Sequence, residues 1–173
     1  MVANSMKKEM RIIGSNAAVE FIGHGIKIPA KIDTGADSSS LWASKIQVDP
    51  KGKLSFVLFD EGFEHYTGEV ITRKKFRVAS IKSSSGHTEI RYRVDMVIKL
   101  GGRKIRATFT LSGRGTHKFP VLIGRRTLVN KFLVNVSKRA FPRNPGDVTQ
   151  SLNIEMKKNP YKFYMKHHVK NEK

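Results

Sequence analysis

Residues 91 to 111 read RYRVDMVIKLGGRKIRATFTL, and this stretch limits the fold more sharply than any other. Tyr92, Val94, Met96, Ile98 and Leu100 alternate with mostly polar neighbours. After Gly101-Gly102 the alternation resumes, with Ile105, Ala107, Phe109 and Leu111 set between Lys104, Arg106, Thr108 and Thr110. A period of two residues places one face of a strand in a core and leaves the other wet. A glycine pair between two such runs supplies the positive φ angles of a two-residue hairpin turn. The stretch therefore predicts a β-hairpin, and nothing before residue 124 shows a long helical period.

Shorter runs extend the pattern. FRVASI (76–81) predicts a strand that pairs with residues 90–100 across KSSSGHTE (82–89), a polar, glycine-containing loop suited to a flexible tip. LSFVLF (54–59) predicts a strand that ends at the DEG turn, and RIIG, AVEFIG and IKIPAKI predict strands ahead of Asp33. RRTLVNKF (125–132) predicts about two helical turns, and FLVNVS (132–137) a closing strand. From residue 140 the chain turns to FPRNPGDVTQ and then to YKFYMKHHVKNEK, basic and aromatic without a clean period. The expected organisation is one all-β domain over 1–139 and a basic, partly disordered appendage over 140–173. A chain of 173 residues is long enough to bury a core of that kind.

Composition removes several kinds of chemistry. There is no cysteine, so disulfides, thiolate nucleophiles and cysteine-bound zinc are excluded. No apolar run approaches the roughly 18 residues that a membrane helix needs. MVANSMKKEMRIIG lacks the apolar stretch of a signal peptide, so the expected location is cytoplasmic and no membrane partner is expected. The six histidines form no HExxH, and GxxxxGK[ST] and GxGxxG loops are absent, so no metal and no cofactor are expected. Against this sparse background the formal charge of +19, from 33 Lys and Arg against 14 Asp and Glu, predicts attraction to polyanions or acidic peptides.

One acidic residue stands out in KIDTGADSSSLW (31–42). Asp and Gly form ordinary surface turns, and that is the plain reading of Asp33-Thr34-Gly35. A catalytic reading requires a second carboxylate beside the first, because two close carboxylates share one proton and so provide an acid and a base together. The chain has a single D-T-G, so a twofold partner must complete such a site.

KIDTGADSSSL together with FPVLIGRRTL (119–128) resembles the paired signature of retropepsins, the dimeric aspartic peptidases. IPAKIDTGADSS, SSSGHTE, LGGRK and VLIGRRTLVNKFLV are similar to a bacterial branch of retropepsin-like proteins. That branch is often labelled as ATP-dependent zinc proteases, and its genes accompany ATP-grasp peptide ligases. At Asp37 the chain departs from the bacterial branch, which tends to have Arg there, and matches the retroviral enzymes. The resemblance implies an all-β retropepsin-like acid-protease barrel with one short helix, acting as a homodimer. It implies Asp33 as the catalytic acid and Thr34, Gly35 and Ala36 as the active-site loop. Asp37, Gly86, His87, Ile123 and Gly124 would meet substrate, with residues 82–89 as a flap. Arg125 would form a structural pair with Asp37. The expected activity is aspartic endopeptidase cleavage of a peptide or protein, an acidic one being suited to the charge of +19, with a functional link to an ATP-grasp ligase. A basic β-rich nucleic-acid-binding module and a non-catalytic domain of the same fold are the rival readings.

Overall fold

A computed structural model describes residues 9–82, 88–113, 119–142 and 148–169. Contacts divide the chain into two compact units, one ending at Phe141 and the other beginning at Pro142.

The first unit is built from strands. They are β1 (Arg11–Ile13), β2 (Asn16–Phe21), β3 (Ile26–Ile32), β4 (Ser39–Val48), β5 (Leu54–Leu58), β6 (Val70–Arg73), β7 (Arg77–Lys82), β8 (Thr88–Leu100), β9 (Arg103–Ser112), β10 (Val121–Ile123) and β11 (Phe132–Val134). One short helix, α1 (Arg125–Leu128), follows β10. β10 pairs with β3, β3 with β2, β2 with β8, β8 with β9, β9 with β4, and β4 returns to β10. This ring is a closed six-stranded barrel, which leaves its members no free edge. β5 and β6 extend outward from β4, β7 pairs with the outer part of β8, and β1 with β11 forms a separate parallel ribbon.

The glycine hairpin lies where the alternation predicts it. Leu100 pairs with Arg103 around Gly101 and Gly102, whose φ angles are 53° and 74°. Along β8 the residues Val94, Met96, Ile98 and Leu100 are buried, and opposite them β9 buries Ala107, Phe109 and Leu111. Phe21, Phe56, Phe59 and Phe109 are fully enclosed. Truncating a ring of this kind to alanine costs about 3–5 kcal/mol. The predicted pairing of residues 76–81 with residues 90–100 is present as β7 against β8, in register from Arg77↔Arg93 to Lys82↔Thr88. Residues 83–87 of the expected tip lie outside the described residues.

Three features differ from the sequence reading. β4, β6 and β10 are strands that were not expected, and β4 alternates buried and half-buried positions from Ser39 through Ala43. α1 makes one turn rather than two. Its N-cap, Gly124, has no side chain to cap the helix, and Asn130 at φ 58° has left the helical region. In the second unit, where no regular element was expected, lie α2 (Val148–Lys158) and α3 (Pro160–His167). Asn159 caps α3 by accepting a hydrogen bond from the Lys162 N–H at 2.9 Å, and Pro160 occupies the first turn. Among the described residues no helix is long and apolar enough to cross a membrane.

Candidate active site

The two separated motifs meet at one corner of the barrel. β10 runs parallel to β3 with Ile123 beside Ile32, and the next residue, Asp33, donates its backbone N–H to the Ile123 carbonyl at 2.9 Å. The chain after Asp33 then folds over the start of α1. Arg125 N–H donates to the Ala36 carbonyl at 2.9 Å, and Arg126 N–H donates to the Asp37 carbonyl at 3.2 Å. Beneath them Ser39, 1% exposed, has its hydroxyl 2.8 Å from that of Thr127 and accepts the Gly124 N–H at 3.1 Å. The buried backbone polar groups of this corner are thus paired by side chains as well as by strands.

Gly124 is the closest point of the assembly. A Cβ there would lie 2.6 Å from the carbonyl carbon and oxygen of Ser38 and 3.0 Å from the Ala36 oxygen. Its φ of −86° suits any residue, so the requirement for glycine is one of space. The V-L-I-G segment is therefore matched to the D-T-G-A-D-S loop by backbone contact.

The Asp33 carboxylate is held in a fixed orientation. Its Oδ1 accepts the Gly35 N–H at 3.1 Å and the Ala36 N–H at 3.2 Å, while Oδ2 lies 3.4 Å from the Lys31 ammonium. The side chain remains 26% exposed, so the carboxylate can still be reached by water or by a second group. Lys31 and Asp33 are two residues apart on an extended segment and so share a face. Lys31 is exposed, and an ion pair of this kind contributes little to stability. It does place a positive charge beside the carboxylate.

The expected site residues fall into three groups. Asp33, Thr34, Gly35, Ala36 and Asp37 form one exposed to half-buried loop. Thr34 is exposed and makes no hydrogen bond among the described residues. Ile123 and Gly124 are buried behind that loop and act on it through their backbone. Gly86 and His87 lie outside the described residues. The Arg125 guanidinium approaches Asp37 at 3.7 Å, but Arg126 reaches it at 2.8 Å. Arg126 was not anticipated, although both arginines stand in IGRR. Lys31, Ser39 and Thr127 were not anticipated either; the Lys31 signal was its i, i+2 spacing from Asp33. Among the described residues no three His, Asp or Glu side chains are grouped to hold a metal ion.

With this corner in view, comparison with known proteins is decisive. A family model described as retropepsin-like aspartic endopeptidase RimB matches residues 12–145. The chain belongs to the RimB-like family. The match takes in the Asp33 loop, the β7–β8 pair and the β10–α1 corner, so the aspartic-protease type of fold applies to the first unit from residue 12 onward. A protein named "Probable alpha-L-glutamate ligase" from Shewanella pealeana is 33% identical over 141 residues, which are 79% of this chain and 31% of that protein. A protein of the same name from Shewanella halifaxensis is 34% identical over 131 residues, 73% of this chain and 29% of that protein. The chain thus spans under a third of the length of these curated relatives. Among solved structures, Lpg0085 of Legionella pneumophila, a protein described as of unknown function, aligns with a TM-score of 0.56 at 24% identity, covering 75% of this chain and 96% of that one. That likeness is one of fold.

Proposed function

We propose that this RimB-like chain is an aspartic endopeptidase whose single active site is shared by two copies, each contributing Asp33, with residues 1–139 as the catalytic part. The observation that carries the reading is the fixed, partly open Asp33 carboxylate at the interlocked corner, in a chain with one D-T-G. Brought together about a twofold axis, the two carboxylates would hold one proton between them. The ionised one takes a proton from water as the water oxygen attacks the peptide carbonyl carbon, and the protonated one gives its proton to the carbonyl oxygen. Breakdown of the tetrahedral species then breaks the C–N bond, with a proton passing to the leaving nitrogen.

Two further observations support a dimer. Thr34 is exposed beside Asp33 without an intrachain partner among the described residues, as a group that meets its own copy would be. The β1–β11 ribbon pairs with no other described strand, and it exposes Ile12 and Leu133, which face each other in register. Apolar surface on a strand pair with open edges is suited to burial against a second copy.

The substrate we favour is an acidic peptide. Lys31 stands beside Asp33, a second copy would bring a second Lys31, and the chain carries a charge of +19. The relatives named as α-L-glutamate ligases fit such a substrate, since glutamate is an acidic residue.

The test is cleavage of glutamate-rich and neutral peptides by the full chain across acid to neutral pH, with native mass spectrometry alongside. The expected result is cleavage by dimers that favours the acidic peptide and weakens as salt rises. Asp33→Asn should abolish cleavage and leave the dimers intact. Cleavage that persists in Asp33→Asn, or in a form held monomeric, would overturn the proposal.

A further inference from the structure

Behind the active-site loop, on the outer face of the β7–β8–β9 sheet, lies a hollow of about 170 Å³ lined by Ser38, Arg77, Arg93, Arg106, Thr108 and Arg126 with little else. Its four arginines come from three strands and a helix. Arg77 and Arg93 face each other directly across the β7–β8 ladder. Like charges so placed repel, and a strand pair would ordinarily avoid them. Arg93 is steadied by the Ser38 hydroxyl, to which its Nη2 donates at 2.9 Å. The Arg106 guanidinium has no ion-pair or hydrogen-bond partner among the described residues.

Two carboxylates stand nearby. Asp95 accepts from Arg77 at 3.5 Å and from the Thr108 hydroxyl at 2.6 Å. Asp37 is paired with Arg126 at 2.8 Å and is shared with Arg125. Four guanidiniums against these two carboxylates leave at least two positive charges uncompensated. An adjoining hollow of about 240 Å³, lined by Lys75, Phe76, Arg77, Arg93 and Asp95, adds a further cation on that side.

We infer that the Arg77–Arg93–Arg106–Arg126 hollow is a binding site for one compact dianionic oxyanion of the phosphate class. The guanidinium fork matches tetrahedral oxyanions by paired, charge-assisted hydrogen bonds. The uncompensated charge suits a dianion better than a single carboxylate. The volume falls below the roughly 300–1,000 Å³ of pockets that enclose drug-sized ligands, so the hollow suits a single oxyanion group rather than a larger ligand enclosed whole. An oxyanion bound here would cancel the Arg77–Arg93 repulsion and compete with Asp37 for Arg126. Its occupancy would therefore be felt by the loop that begins at Asp33.

The test is titration of the ¹⁵N-labelled full chain with inorganic phosphate above neutral pH at constant ionic strength, with chloride and acetate as parallel arms. Saturable shifts at the amides of Ser38, Arg93, Arg106 and Thr108 with phosphate, and not with either other anion, are expected. Arg106→Gln is exposed and unpaired, so it should fold normally while binding phosphate about tenfold or more weakly. Arg93→Lys keeps the charge but removes the fork, and should weaken binding by a similar factor. Shifts that chloride reproduces would reduce the effect to screening and overturn the inference. Acetate binding as tight as phosphate would overturn the dianion assignment, and so would full affinity in a folded Arg106→Gln variant. Binding is read on the folded chain without any cleavage, so the result is independent of whether the peptidase proposal holds.

Discussion

The corner at Asp33 and the helix pair at residues 148–167 are held by opposite means. At the corner, groups distant in sequence lock together, with the Gly124 N–H donating to the Ser39 hydroxyl across 85 positions and with no room for a Cβ at 124. In the helix pair no described residue is buried, and the stabilising contacts are near neighbours: the Asn159 cap, and Glu155 paired with Lys166 at 2.6 Å and His167 at 3.6 Å. The first arrangement fixes geometry because one displacement disturbs every partner. The second adjusts to change one contact at a time.

That contrast is tested most severely at Gly124. Gly124→Ala must push the Ser38 backbone away, and overpacking of this order costs on the order of 3 kcal/mol. The expected outcome is a lowered urea midpoint together with loss of cleavage, while helical circular dichroism from the second unit persists. A variant as stable as the parent would show that the corner can yield. Asn159→Ala removes a helix cap and should cost about 1 kcal/mol of local helix stability. It should show as faster amide exchange in 160–164 and leave the barrel unchanged; a change in barrel stability would blur the distinction between the two regions.

The smallest effect expected is one of pH. The Lys166 hydrogen bond, aided by His167, holds the Glu155 carboxyl below the usual carboxylate range. A depressed folded value means that the contribution is fully present above the ordinary carboxylate range and is lost as pH falls through the lowered value. Both groups are exposed, so the effect should be slight and weakened by salt. Acidification below the ordinary carboxylate range should loosen the helix pair in the parent and leave Glu155→Gln unaffected, as amide exchange in α2 and α3 would record.

What the sequence made legible follows the same division of local from distant. Alternation and the glycine pair predicted β8 and β9 to within a few residues, because a strand with one wet face and a tight turn both depend on neighbours in the chain. β10 was not legible: three residues form a strand only because β3 and β4 accept them on either side. β4 was obscured by Ser38, Ser39 and Ser40, whose composition suggests a loop, yet Ser39 is a buried hydrogen-bonding residue of the barrel. Arg125 was placed opposite Asp37 by resemblance alone, and the closer approach of Arg126 depends on side-chain directions that spacing does not contain. The helices at 148–167 did have a local signal. Asn159-Pro160 is a helix-start pair, overlooked among the turn residues and lysines around it.

The short seam strand also has a consequence in time. The ring of strands cannot close before Val121–Ile123 enters between β3 and β4, and until then Asp33 lacks its backbone partner. The β8–β9 hairpin, by contrast, closes over two glycines and can form within microseconds. Pairings between segments so far apart must first overcome loop-closure entropy, which makes such steps slow. Folding should therefore proceed from the hairpin outward and finish at the seam. In a φ-value analysis Val121→Ala should mainly speed unfolding, and Phe109→Ala should mainly slow folding. The reverse order would mean that the seam nucleates the barrel. On the expected order, the loop that carries Asp33 is among the last parts of the chain to become ordered, and a chain halted short of residue 121 would have its D-T-G but not the β10–α1 segment that anchors the loop to the barrel.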